Sequence, residues 1–179
     1  VCGSTGPGEE ALLLDAYASL IGERISLRLV IVPRKPERFD EVAALIRNRG
    51  YACVRRSDHS DAPALPREAP AAGTDPPVIL GDTMGELRKF YSLARVVFVG
   101  RSLVPMGGSD PREVAALGKP IIVGPHTDNF AGPVVAFAAA SAIRVVDSVP
   151  ALAAAVRELI AAPAGGDAAR QVVLDHQGA

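Results

Sequence analysis

Tryptophan is absent from this 179-residue chain, and aromatic residues make up only 4% of it. A surface that binds single strands by stacking bases on rings has little material here. There is no excess of positive charge either: 19 Lys and Arg face 20 Asp and Glu, a net charge of -1. A general nucleic-acid binder usually carries a basic excess, so no nucleic-acid partner is expected. The two cysteines, Cys2 and Cys53, form no Cys-x-x-Cys pair, which excludes a disulfide scaffold and a zinc ribbon. His59, His126 and His176 lack metal-ligand spacing, so no metal is expected. The longest uncharged apolar stretch, Ala131 to Ile143, spans 13 residues and contains Gly, Pro and Ser. A membrane span needs about 20 apolar residues.

What is present is globular: 49% hydrophobic and 22% charged residues, with 30 alanines favouring helix. The length suits one large domain, residues 1–179, rather than two small ones. Leu12, Leu13, Ala16 and Leu20 have helical spacing, with Glu9 and Glu10 in the first turn and Gly22 as a stop. The run Leu27 to Val32 reads as a strand ending at Pro33. Pro36-Glu37 opens a helix carrying Phe39, Val42, Ala43 and Ile46, stopped by Gly50. Further strands are expected over 52–54, 78–80, 96–99, 121–123 and 143–146. Helices are expected over 84–93, 111–117, 129–140, after a Ser148 cap, and over 170–174. Strands that are apolar on both faces and alternate with helices predict a parallel sheet covered on both sides. The architecture is a Rossmann-like three-layer α/β domain. Residues 57–77, with five prolines, read as a flexible insertion loop at a strand edge. The opening Val1-Cys2 dipeptide reads as the tail of a cut strand, so a longer two-domain parent chain is expected.

Ligands of such sheets bind at the carboxyl ends of the strands, where the Gly, Pro and polar clusters fall. In the first, Gly3 and Gly8 have P-loop spacing, but Glu9 and Glu10 stand where Lys and Ser/Thr are needed, which rules out an ATPase. No Gly-x-Gly-x-x-Gly pattern is present, against a dehydrogenase. The helix-start amides could bind an anion, or the segment could be a turn capped by Thr5. Arg34 and Lys35 follow a buried strand and suit a phosphate or carboxylate, with a solvated loop as the alternative. In Gly81-Asp82-Thr83-Met84-Gly85-Glu86, either Asp82 or Thr83 caps a helix, or the loop touches a nucleoside. The most specific stretch runs from Pro105 through Gly107, Gly108, Ser109 and Asp110 to Glu113. Its glycines would let backbone approach a ligand, its helix start would offer amides to phosphate, and Glu113 would accept bonds from ribose hydroxyls.

Several ordered motifs resemble the nucleotide-binding half of bacterial 3-deoxy-D-manno-octulosonic acid (Kdo) transferases. They are Gly3-Ser4-Thr5 with Gly8-Glu9-Glu10, Pro33-Arg34-x-Pro36-Glu37-Arg38-Phe39, Leu80 to Leu87, Gly107-Gly108 with Glu113, and Gly124-Pro125-His126-Thr127-x-Asn129-Phe130. The resemblance implies the C-terminal half of a GT-B glycosyltransferase. It implies CMP-Kdo as donor and a lipid A precursor as acceptor in lipopolysaccharide synthesis, at the cytoplasmic side of the inner membrane. It also implies that no metal or other cofactor is needed and that any membrane contact belongs to the other half. By the same resemblance Arg34 would meet the donor phosphate or base, Gly81 to Glu86 would line the nucleoside, Glu113 would hold the ribose, and Ser4 and Thr5 would face the donor sugar. Lys35, Gly107, Gly108, Ser109 and Asp110 complete that rim. The catalytic base would lie in the other half, so this chain alone would be inactive.

The chain departs from the family pattern at three places. Gly6 stands where His follows Gly-Ser-Thr, Lys35 where Pro-Arg-His-Pro has His, and Ser109-Asp110 where Gly-Gly-His-Asn has His-Asn. These departures keep open a non-catalytic nucleotide-binding relative. A UDP-sugar epimerase-like domain is a further alternative, one that would select UDP over CMP.

Overall fold

The structure is a computed structural model that describes residues 1–59 and 75–177. Seven strands form one sheet in the order β3-β4-β2-β1-β5-β6-β7, with every pair parallel. They are β1 (Cys2–Thr5), β2 (Val30–Pro33), β3 (Cys53–Arg55), β4 (Val78–Leu80), β5 (Val97–Val99), β6 (Ile121–Val123) and β7 (Ile143–Val145). The helices are α1 (Glu9–Gly22), α2 (Phe39–Asn48), α3 (Leu87–Leu93), α4 (Arg112–Ala116), α5 (Ala131–Ala139), α6 (Val149–Ala161) and α7 (Gly166–Gln177). Among the described residues no helix is long and apolar enough to cross a membrane.

The strands explain the two-sided cover. Successive side chains point to opposite faces, yet all three residues of β5 and of β6 are buried. Phe98 and Ile122 pack with Leu13, Tyr17 and Leu20 of α1, Val42 and Ile46 of α2, and Leu152 and Leu159 of α6. Their neighbours Val97, Val99, Ile121 and Val123 pack with Tyr91 of α3, Val114 of α4, Phe137 of α5 and Ala169 of α7. The doubly covered α/β class expected from the sequence is therefore the observed one. The chain winds outward in one direction from β1 to β2, and in the other from β5 to β7, so the order reverses at β1/β5. That reversal is where open α/β sheets place their ligands.

Boundaries differ from expectation in places with a physical reason. The helix expected from residue 84 begins only at Leu87, because Gly85 takes φ 78° and breaks the helical path. Pro36–Arg38 forms a separate 3-10 turn before α2. The last helix, expected over 170–174, runs from Gly166 to Gln177. Ser148 caps α6 as expected, accepting from the Ala151 amide at 3.4 Å. Of the expected insertion over 57–77, Ser57–His59 is a 3-10 turn whose Ser57 amide and hydroxyl both bond Asp82, at 2.8 and 2.6 Å. Residues 60–74 of that insertion lie outside the described residues.

Candidate functional site

The rim at β1/β5 is built from carboxylates that bind backbone. Gly8, with φ 83°, ends the β1 turn and starts α1. Glu9 turns back from the first helical turn and is fully buried. Its Oε2 accepts from the amides of Gly6 at 3.2 Å and Arg101 at 2.6 Å; its Oε1 accepts from Ser102 at 3.0 Å and Leu103 at 2.9 Å. One side chain thus fixes the β1 loop to the β5 loop. Burial pushes its carboxyl above the ordinary value, against the downward pull of those four amides. The Gly6 amide is taken up by Glu9. One expectation is corrected: the N-cap of α1 is Gly8, not Thr5, whose hydroxyl donates to Glu10 at 2.8 Å. Glu10, also buried, accepts from both terminal guanidinium nitrogens of Arg38, at 2.6 and 3.1 Å.

Glu113, Ser4 and Arg34 all act on a residue the sequence reading did not single out, Tyr91. Ser4, next to last in β1, takes φ 56°, where the register against β2 shifts. The Tyr91 hydroxyl lies 2.2 Å from where a Cβ on Gly3 would stand, so only glycine fits beneath the ring. That hydroxyl bonds the Ser4 side chain and lies near Glu113 and Arg34. Burial pushes its pKa up, and Glu113 adds to the rise. The Arg34 amide bonds Thr5 O at 3.0 Å, which sets the exposed side chain over the same strand ends. Lys35 is exposed and pairs with Glu37 at 3.6 Å.

The β5–α4 loop folds otherwise than its glycines suggested. Gly107 and Gly108 take φ 78° and 79°. A Cβ on Gly107 would stand 2.3 Å from the Asn129 side chain, and one on Gly108 would stand 3.1 Å from His126 O. These glycines make room for the β6 loop of the protein itself. The helix start is altered too: α4 has only five residues, and its Arg112 amide bonds Asp110 at 2.9 Å. Asp110 is no bare negative charge, since Arg112 also pairs with it at 2.7 Å. Against the effect of its burial, those bonds hold the Asp110 carboxyl below its ordinary value.

Gly81 to Glu86 form a separate cluster beyond β2. Since β4 lies two strands from β1, it stands about 10 Å away at ordinary strand spacing. Asp82 is engaged by Ser57 and by Arg55 at 2.6 Å. Its carboxyl stays below the ordinary value although burial opposes this. Thr83 and then Arg56 and Lys89 bond Glu86 and pull it down to about 2. Met84 projects into solvent, 70% exposed. Asp82, Thr83 and Glu86 hold the loop in shape, leaving Met84 and Gly85 as its outward face, while Gly81 is buried with its amide bonded to Ile31 O at 2.8 Å. A cavity of about 750 Å³ bounded by described residues lies against Val30, Ile79, Phe90 and Leu93. None of Ser4, Arg34, Ser109 and Glu113 lines it.

No family model matches the chain. It is 39% identical over 98% of its length to a 3-deoxy-D-manno-octulosonic acid transferase of Bordetella pertussis. It is 40% identical over 73% of its length to one of Haemophilus influenzae. The chain spans 41% and 28% of those two curated relatives. Among solved structures it matches the C-terminal CMP-Kdo binding domain of WaaA from Acinetobacter baumannii, with a TM-score of 0.74 and 32% identity. That match covers 99% of this chain and 86% of the other.

Proposed function

This chain belongs to the 3-deoxy-D-manno-octulosonic acid transferase family, and from that premise we propose that it is the donor-binding half of an inverting glycosyltransferase using CMP-Kdo. The observation that carries this is the match over 99% of the chain to a CMP-Kdo binding domain, together with Tyr91, on whose hydroxyl Glu113, Ser4 and Arg34 all act beside the point where strand order reverses. In this reading Arg34 meets the donor phosphate, Glu113 accepts from the ribose hydroxyls, and Ser4 faces the sugar. A hydroxyl of a lipid A precursor attacks the anomeric carbon of Kdo. The bond from that carbon to the CMP phosphate oxygen breaks, and CMP leaves with the electron pair. The acceptor proton passes to a base in the N-terminal half of the enzyme, which works at the cytoplasmic side of the inner membrane. This chain alone is expected to bind donor and to transfer nothing, because the reacting groups must be held together across a cleft.

Glu113→Gln tests the assignment. Hydrogen bonds to a charged acceptor are worth about 1.5–3 kcal/mol, so CMP affinity should fall about tenfold or more. A carboxylate in a first helical turn affects stability by only about 0.3–1 kcal/mol, so the unligated melting temperature should barely move. Calorimetric titration with CMP, UMP and UDP reads both the loss and the base preference. Unchanged CMP affinity in the variant would remove Glu113 from the site, and a preference for UDP would favour the epimerase-like alternative.

A further inference from the structure

Arg101 follows β5 by two residues and holds φ 62°, a left-handed backbone that a long side chain rarely adopts. Such conformations persist where surrounding bonds over-determine them, and they cluster at functional sites. Here the Arg101 amide is held by Glu9 at 2.6 Å, and its carbonyl accepts from the Gly108 amide at 2.8 Å. Those bonds lay the side chain between the β1 turn and the 105–108 turn. Its Cγ lies 3.2 Å, and Met106 Sδ 2.6 Å, from where a Cβ on Gly6 would stand. The bare Gly6 therefore makes the room that Arg101 and Met106 fill. Nη2 donates to Met106 O at 3.2 Å, whereas Nε is buried without a partner. Arg101 has no ion pair among the described residues.

Ser109 Oγ, in the same loop, is the other buried side-chain polar atom left without a partner among the described residues. A half-buried guanidinium lacking a counter-charge is costly to keep, and its planar fork matches carboxylate and phosphate oxygens.

We propose that Arg101 and Ser109 form an oxyanion subsite of the rim, in which the guanidinium takes an acidic oxygen of the sugar-nucleotide donor. This rests on the donor reading above. The oxygen belongs either to the phosphoryl group or to the sugar carboxylate, both present in CMP-Kdo.

The test compares the parent chain with Arg101→Gly, Arg101→Lys and Ser109→Ala, by calorimetric titration with CMP and CMP-Kdo and by melting. Arg101→Gly relieves the left-handed backbone, so its melting temperature should rise while CMP-Kdo binding weakens tenfold or more. A residue that only packed the loop would not move those two readouts in opposite directions. Arg101→Lys should fall between parent and glycine variant, and Ser109→Ala should weaken binding severalfold. Equal losses for CMP and CMP-Kdo assign the contact to the phosphate; a loss confined to CMP-Kdo assigns it to the sugar carboxylate. If Arg101→Gly binds CMP-Kdo as the parent does, the subsite is overturned. Should the parent bind neither nucleotide, the donor reading fails, and inorganic phosphate decides the subsite. Thermal stabilisation of the parent but not of Arg101→Gly upholds it, and equal responses overturn it.

Discussion

Glu9→Gln is expected to lower the unfolding free energy by about 3 kcal/mol and to loosen both loops of the rim together. The carboxylate serves two amides with each oxygen: Gly6 and Arg101 with one, Ser102 and Leu103 with the other. Glutamine keeps the shape but turns an NH2 group toward one of those pairs. Two buried N–H groups then lose their acceptor, at about 1–3 kcal/mol each. Removal of a buried charge returns part of this, which sets the net figure near the middle of the range. Urea unfolding should show a lower midpoint at unchanged slope. A midpoint equal to the parent's would mean that water replaces the carboxylate without loss.

The pH dependence of the same residue has a definite sign. Burial raises the native carboxyl above its ordinary value, so the native state holds this proton more tightly than the unfolded chain. Its share of stability is fully present below the ordinary carboxylate range and declines as pH climbs through the raised native value. Glu9→Gln should remove that segment of the stability-versus-pH curve and leave the rest in place.

The sheet and its two helical layers were legible in the sequence because continuous apolar runs in the strands and helical spacing between them are local patterns. β4 and β6 fall at the residues expected, and α1 begins at the expected Glu9. The site was legible as a rim but not as a geometry. The glycines at 107 and 108 were recognised as necessary, yet their neighbours, Asn129 and His126, lie some 20 residues on. Nothing local reveals which backbone they must clear. Tyr91 reads as one more core residue of α3, although its hydroxyl touches the β1 turn. The available signal was Gly3, a glycine at the end of a buried strand that implies something close above it. Glu9 and Glu10 told against a triphosphate, but their partners at Arg101 and Arg38 depend on how distant loops converge.

Arg38→Met is expected to destabilise the fold by about 3–5 kcal/mol, because it strands Glu10 as a buried charge. Arg38 and Glu10 side chains are 9% and 1% exposed, and the pair is bidentate. Its bonds to Glu10, then to Glu41, raise the Arg38 pKa, so the guanidinium stays charged throughout any accessible range. Glu41 is largely exposed and pairs at 2.9 Å, an interaction that solvent screens to little worth. The loss therefore belongs to Glu10, whose remaining partner is the Thr5 hydroxyl. Replacing both charges, Arg38→Met with Glu10→Leu, should recover most of the stability, since apolar replacement of a buried pair is often neutral. Donor binding should not recover equally. Thr5 then loses its acceptor, and Thr5 O is the atom that fixes the Arg34 amide. A double-mutant cycle on urea midpoints, run alongside CMP titration, separates the two roles. Simple additivity of the single substitutions would show that the pair is not coupled. Recovery of affinity together with stability would show that it holds the fold and does not position Arg34.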